Sequence, residues 1–140
     1  MTNVVIVTHG EFGAYLLEAA EMIIGAQPEG VELVSVSPRV SVEEVREHIA
    51  KALEKSRSPD GIIVFTDIFG GTPTNMALPL AQAMPEAEVI SGVNLNMLVS
   101  VFNYRGKMAK SELAKKIIED GKKSICDVKA LFAGAQKQCR

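Results

Sequence analysis

Two residues that could do chemistry together each follow a run of apolar residues. His9, one of two histidines in the chain, comes after the apolar run Val4–Val7, and Asp67 comes after a second run at residues 61–65. A carboxylate that accepts a hydrogen bond from one imidazole nitrogen fixes the tautomer of the ring, so the other nitrogen presents its lone pair. If the fold brings His9 and Asp67 together, the pair would supply a nucleophile or a general base.

A candidate anion site lies just beyond Asp67. Gly70 and Gly71 let the backbone approach a ligand closely, and Thr72 followed by Pro73 is typical of the N-cap and first position of a helix. The free N–H groups of such a helix, together with the Thr72 hydroxyl, would bind an anion. A histidine, a carboxylate and an anion site together indicate phosphoryl chemistry. The chain has no GxxxxGK[ST] motif, so ATP binding through a P-loop is not predicted.

Alternating apolar runs and helical patterns predict the elements that must position these residues. Short apolar runs, typical of parallel strands buried on both faces, occur at residues 4–7, 31–36, 61–65 and 87–93. Between and after them, apolar residues recur at helical spacing; the first helix stops at Gly25, and the second starts at Ser41 with Glu44 in a capping box. We therefore predict an α/β fold with a small doubly wound, mainly parallel sheet in the order 2-1-3-4, flanked by helices.

The predicted sheet would bring the histidine and the aspartate to one edge. In an open parallel sheet, ligands bind outside the carboxyl ends of the strands. In the 2-1-3-4 order the first and third strands are neighbours, so His9 and Asp67 would face each other across a crevice there. His48, in contrast, falls inside the second predicted helix, between Glu44 and Lys51, and is assigned no chemistry.

Length, charge and composition narrow the classes of function. With 140 residues, the chain is predicted to form a single domain, residues 1–140. Its net charge is −2 and its charged residues are dispersed, so neither a nucleic acid nor a membrane is an expected partner. No signal sequence and no long apolar stretch is present, so we expect a cytoplasmic protein. Cys126 and Cys139 form no CxxC pair and have no histidine at ligand spacing, so no metal site is predicted.

Three motifs occur in order along the chain: VTHGEFG at residues 7–13, TDIFGGTPTN at residues 66–75 and SGVNLNMLV at residues 91–99. With these motifs, the sequence resembles the mannose-family enzyme IIA domains of the bacterial phosphoenolpyruvate-dependent sugar phosphotransferase system. The resemblance spans nearly the whole chain. It implies a phosphotransferase component that works through a phosphohistidine.

The resemblance also implies a role for each candidate residue. His9 would accept a phosphoryl group on Nε2 from the phosphocarrier protein HPr and pass it to a IIB-type protein or domain. Asp67 would hold the Nδ1–H group of the histidine and activate the ring. Thr72, with the Gly70-Gly71 turn, would line the phosphate site. In-line transfer between two histidines requires positioning and anion stabilisation, so no cofactor, metal or nucleotide is expected.

The family further implies a homodimer in which a C-terminal strand exchanges between subunits. That strand would be residues 124–128, a segment whose periodicity alone fits either a short strand or a frayed helix. Two features depart from the family pattern. Asn96 stands where the family commonly has a proline, which puts the geometry of that loop in question. The chain stops at Arg140 without a IIB domain, so the acceptor is expected to be a separate protein.

Two other functions fit parts of the pattern. A regulatory binding module could be switched by phosphorylation of His9, without onward transfer and without sugar transport, because the added charge would reshape a docking surface. A phosphohydrolase is the third reading, because THGE is similar to the RHG motif of histidine phosphatases. Thr8, however, stands where that motif has its phosphate-binding arginine. The sequence does not identify a sugar.

Overall fold

The computed structural model describes residues 1–134 of the chain. Strands and helices alternate through its first part, and further helices complete it. In chain order the elements are β1 (Asn3–His9), α1 (Phe12–Ile24), β2 (Val31–Val36), α2 (Val42–Lys55), β3 (Ile62–Thr66), α3 (Thr72–Gln82), β4 (Ala87–Ser91), α4 (Leu95–Tyr104), α5 (Lys110–Lys123) and α6 (Val128–Phe132). Each predicted strand is therefore present, and helices lie between and after the strands as predicted.

The strands form one parallel sheet in the order β2-β1-β3-β4. This confirms the predicted α/β fold and its strand order. β1 pairs with β2 on one side and with β3 on the other, which places β1 and β3 side by side at the centre. Their carboxyl ends therefore lie next to each other at one edge of the sheet.

Helices cover both faces of the sheet, and alternate residues of β1 face the two layers. Ile6 packs in a core with Leu98 of α4 and Ile117 of α5, whereas Val5 packs in a second core with Ile49 of α2 and Ala77 of α3. Burial on both faces explains why β1 and β3 are continuous apolar runs rather than alternating ones. The two cores make β1 and β3 a rigid base for the residues at their ends.

Helix ends follow the sequence signals, with one exception. The Ser41 hydroxyl accepts a hydrogen bond from the backbone N–H of Glu44 at 3.2 Å, as the capping box predicts. Gly25 ends α1 with a φ of +96°, a conformation that favours glycine. The predicted N-cap of α3 was wrong by one residue, because Gly71 occupies the cap position and Thr72 is the first helical residue. A glycine has no side chain to cap with, so the Thr72 hydroxyl is not used as a cap.

The segment after α5 differs from the strand that the family resemblance implies. Ser124 is the C-cap of α5, the next three residues form a connection, and Val128 begins α6. Residues 124–128 are therefore not a strand in the single chain. Exchange of this segment between two subunits stays a prediction. Cys139 and Arg140 lie outside the described residues.

Within residues 1–134, none of the helices combines the length and the apolar character needed to cross a bilayer.

The cap of α2 gives a first test of the structure. Ser41→Ala removes the hydroxyl that accepts the Glu44 N–H bond, so we expect it to lower the free energy of unfolding by about 1 kcal/mol. His48→Ala is the matched control, because His48 is exposed on the same helix and should change that free energy by less than about 0.5 kcal/mol. Urea denaturation of the two variants beside wild type measures both values. Equal losses in both variants would contradict the assigned cap.

Candidate functional site

The structure places the predicted histidine and aspartate in direct contact. His9 is the last residue of β1, and Asp67 follows Thr66, the last residue of β3. The parallel register pairs Val7 with Thr66, so the two strands deliver His9 and Asp67 to the same edge of the sheet. His9 Nδ1 lies 2.8 Å from Asp67 Oδ2.

Asp67 is held by hydrogen bonds on both of its carboxylate oxygens. Oδ2 accepts from the backbone N–H of His9 at 2.8 Å as well as from the ring, and Oδ1 accepts from the backbone N–H of Ile68 at 3.0 Å. Burial acts to raise the pKa of Asp67, but the hydrogen bonds from the backbone and ring of His9 and from the backbone of Ile68 outweigh it and hold that pKa below its ordinary value. The side chain is therefore a carboxylate at neutral pH.

An ionised carboxylate can only accept hydrogen bonds, which fixes the tautomer of a neutral His9 ring. Nδ1 carries the proton that is shared with Asp67, and Nε2 presents its lone pair. The side chain of His9 is 54% exposed, whereas that of Asp67 is 12% exposed. The histidine ring is thus accessible from outside, whereas the carboxylate that orients it lies beneath the surface.

The N-terminus of α3 lies against the histidine ring. A Cβ atom added to Gly71 would stand 3.1 Å from Cε1 of His9 and 2.8 Å from Cγ2 of Ile68. Only glycine lets the backbone pass this close to the ring carbon that lies between the two nitrogens. Gly70, just before it, has a φ of +82°, which also favours glycine.

The first turn of α3 supplies groups that could hold an anion beside the ring. Thr72 and His9 line the same cleft, which has a volume of about 360 Å³. The first N–H groups of a helix have no partner within it, and the helix dipole favours negative charge there. Pro73 contributes no N–H, so the candidate donors are the Thr72 backbone and hydroxyl and the backbone of Thr74. The remaining lining of the cleft is mostly apolar: Val36, Ser37, Pro38, Val40, Val42, Val45 and Met76.

Sequence reasoning missed a pair of buried threonines below the site. Thr66 and Thr74 are 0% and 5% exposed, and their hydroxyl oxygens lie 2.7 Å apart. The signal was present in the helical spacing, because Thr74 lies three residues before the buried Ala77 and so shares its face of α3. A hydroxyl on a buried face requires a hydrogen-bond partner, which here is the hydroxyl of the other threonine.

Asn96, where the resemblance implies a proline, lies at the start of α4, next to the loop that follows β4. It is an exposed residue in the first turn of α4. The loop is fixed by Asn94, whose side chain accepts from the backbone N–H of Met97 at 3.0 Å, and by the Val93 N–H, which donates to the Thr66 carbonyl at 3.0 Å. The start of α4 is therefore capped by the Asn94 side chain.

None of the described residues, 1–134, forms a group of three or more histidine, cysteine, aspartate or glutamate side chains able to hold a metal ion.

The lowered pKa of Asp67 predicts a defined acid dependence of stability. Because the folded pKa lies below the unfolded one, the carboxylate contributes stability that is complete above the unfolded pKa, about 4, and is lost as pH falls through the folded value. Asp67→Asn has no titrating group there, so its free energy of unfolding should approach that of wild type in acid. Urea denaturation at a series of pH values below about 5, with the titration of the Asp67 ¹³Cγ resonance, measures this. An Asp67 titration at or above the ordinary value would contradict the assigned hydrogen bonds.

The chain is similar to known components of a sugar phosphotransferase system. The family model described as "PTS system fructose IIA component" (EIIA-man) matches residues 3–118. The mannose-specific EIIAB component of the Escherichia coli phosphotransferase system (strain K12) is 33% identical over 128 residues, which cover 91% of this chain and 39% of that protein. The chain thus spans well under half the length of that relative. The sorbose-specific EIIA component of Lacticaseibacillus casei is 28% identical over 117 residues, covering 84% of this chain and 83% of that one.

A solved structure of an EIIA component also has the fold of this chain. The crystal structure of the phosphotransferase system component EIIA from Streptococcus agalactiae superposes with a TM-score of 0.83 at 29% identity, and the match covers 93% of this chain and 99% of that one. The match of the family model over most of the chain, the shared fold and these relatives together show that the chain belongs to the EIIA-man family of the sugar phosphotransferase system.

Proposed function

We propose that this chain is a phosphoryl-transfer protein in which His9 Nε2 accepts a phosphoryl group from phospho-HPr and passes it to a IIB-type partner. The observation that carries the proposal is the 2.8 Å hydrogen bond between His9 Nδ1 and Asp67 Oδ2. This bond directs the lone pair of the exposed ring nitrogen toward an incoming phosphoryl donor. Family membership supports a role of this class in the sugar phosphotransferase system.

The proposed step is an in-line displacement between two histidines. The Nε2 lone pair of His9 forms the new N–P bond while the N–P bond of the donor histidine breaks, and that bond's electron pair returns to the donor ring. The ring of His9 becomes positively charged, and the Asp67 carboxylate stabilises this charge without taking the Nδ1 proton. Loss of the phosphoryl group to the IIB acceptor is the same step in reverse.

The phosphoryl oxygens need donors that are in place before the reaction. In our proposal, the Thr72 hydroxyl and the N–H groups of the first turn of α3 bind them. Gly70 and Gly71 allow the backbone to come close enough to do so. In the proposal neither a metal nor a nucleotide takes part, because these donors stabilise the negative charge of the phosphoryl oxygens.

The surface around His9 suits protein partners. Ile68 and Phe69, directly after Asp67, are 58% and 86% exposed. Neighbouring exposed apolar side chains of this kind are typical of interaction sites. In the proposal, HPr and the IIB partner use this surface in turn, each placing its own histidine opposite Nε2.

Two further expectations stay predictions for this chain. One is a homodimer, and the other is a cytoplasmic location. The match to this chain covers 39% of the Escherichia coli EIIAB component. The IIB partner that we propose is therefore a protein or domain outside the matched region.

The acceptor residue is tested by phosphorylation with phosphoenolpyruvate, enzyme I and HPr. We expect wild type to gain one acid-labile, base-stable phosphoryl group and His9→Ala to gain none, because alanine has no nucleophilic nitrogen. His48→Ala is the control and should be labelled as wild type, since His48 lies exposed on α2. Equal labelling of wild type and His9→Ala would exclude His9 as the acceptor. A labelled wild type that no IIB protein can discharge would favour the regulatory module instead.

The role of Asp67 is tested by Asp67→Asn. The amide keeps the size of the side chain but cannot stabilise a positively charged ring as a carboxylate does. We expect phosphoryl acceptance to slow by about 10²- to 10⁴-fold, the range typical for such orienting carboxylates. Rapid-quench measurement of phosphohistidine formation gives the rate. A wild-type rate in Asp67→Asn would show that the carboxylate only supports the fold.

A further inference from the structure

Thr74 makes a second contact that connects the buried threonine pair to the site. Its hydroxyl donates to the backbone carbonyl of Ile68 at 2.8 Å, in addition to lying 2.7 Å from the Thr66 hydroxyl oxygen. A hydroxyl has one proton, and a carbonyl has none to give. The Thr74 hydroxyl therefore donates its proton to the bond with the Ile68 carbonyl. In the threonine pair, the Thr66 hydroxyl must then donate to the Thr74 oxygen.

Ile68 is the residue whose backbone N–H holds Oδ1 of Asp67, at 3.0 Å. The peptide group before Ile68 is thus fixed by Asp67, and the one after it is fixed by Thr74. A turn of Ile68 about its own backbone would break one bond or the other. The orientation of the carboxylate that faces His9 is in this way coupled to a buried hydroxyl on α3.

Besides Thr74, the Gly71 N–H also holds the Ile68 carbonyl, at 3.3 Å, a longer bond than the 2.8 Å bond from Thr74. Ile68 and Phe69 are exposed, so their side chains add no core packing, and the next two residues are glycines. Of the side-chain bonds between this loop and α3, the Thr74 bond is part-buried, whereas the bond from Asn75 Nδ2 to the Gly70 carbonyl, at 3.1 Å, is exposed to water. A hydrogen bond sheltered from water holds geometry better than an exposed one.

We propose that Thr74 is a positioning residue for phosphoryl transfer, which aligns Asp67, and through it His9, by holding the Ile68 backbone. This proposal rests on the function proposed above. It adds to that function a side chain that does not itself touch the reacting groups. A buried hydroxyl pair would otherwise be a cost relative to two apolar side chains that fill the same space.

The test compares two isosteric variants of the same buried pair. Thr74→Val removes the hydrogen bond to the Ile68 carbonyl. Thr66→Val removes the other hydroxyl of the pair but leaves the hydrogen bond from Thr74 to the Ile68 carbonyl in place. Thr74→Ser keeps the hydroxyl and loses only a methyl group. Thr74→Ala serves if the valine variant does not fold, which circular dichroism and thermal unfolding establish.

The first readout is independent of phosphoryl transfer. Imidazole ¹⁵N shifts of unphosphorylated protein report which nitrogen of His9 carries the proton. We expect the Nδ1–H form to dominate in wild type, Thr66→Val and Thr74→Ser, and the two tautomers to mix in Thr74→Val. The second readout is the rate of phosphoryl acceptance from phospho-HPr, which should fall about ten- to a hundredfold in Thr74→Val alone.

Three results would overturn the proposal: wild-type tautomer and rate in Thr74→Val, equal changes in Thr74→Val and Thr66→Val, or no recovery in Thr74→Ser. The second of these would show that the pair only stabilises the fold. Should wild type accept no phosphoryl group from HPr, the proposed function fails, and the ¹⁵N readout still decides whether Thr74 positions the His9–Asp67 pair.

Discussion

The parallel pairing of β1 with β3 is the constraint on which the site depends. It sets residues that are 58 positions apart in the chain, His9 and Asp67, at the same edge of the sheet. Because both strands are covered by helices on both faces, neither can shift without opening a core. A one-residue slip in register would also exchange the faces of every side chain. The histidine and the carboxylate are therefore held by the whole sandwich of helices and sheet.

The site itself is built mainly from backbone. Asp67 is fixed by N–H groups of His9 and Ile68 as well as by the ring, and the ring lies against the backbone of Gly71. Backbone donors at fixed positions need little reorganisation when negative charge develops near them, which suits the proposed transfer of a phosphoryl group. Two apolar side chains next to the site, Ile68 and Phe69, are also exposed.

The local patterns predicted the elements well, and their failures have local causes. At α3, Thr72 was predicted as the N-cap because threonine is favoured there, yet Gly71 takes that position. Its close approach to His9 requires a residue without a Cβ atom, so a tertiary contact overrides the local preference. Residues 124–128 have too few periodic positions to predict a state, and in the single chain they connect α5 to α6. The family resemblance implied a strand whose partner lies outside the single chain.

The sequence by itself determined the strands, the helices as far as α5, their order and the two residues that meet at the site. Strands that are buried on both faces appear in the sequence as continuous apolar runs, and amphipathic helices appear as apolar residues with a period near 3.6 residues. Only one histidine of the chain follows such an apolar run. Tertiary structure alone decided how these residues are held. The sharing of one carboxylate oxygen by the backbone and ring of His9, and the bond from Thr74 to Ile68, depend on register and packing between distant segments. A local pattern records what a residue prefers, whereas a hydrogen bond between elements depends on where the rest of the fold puts its partner.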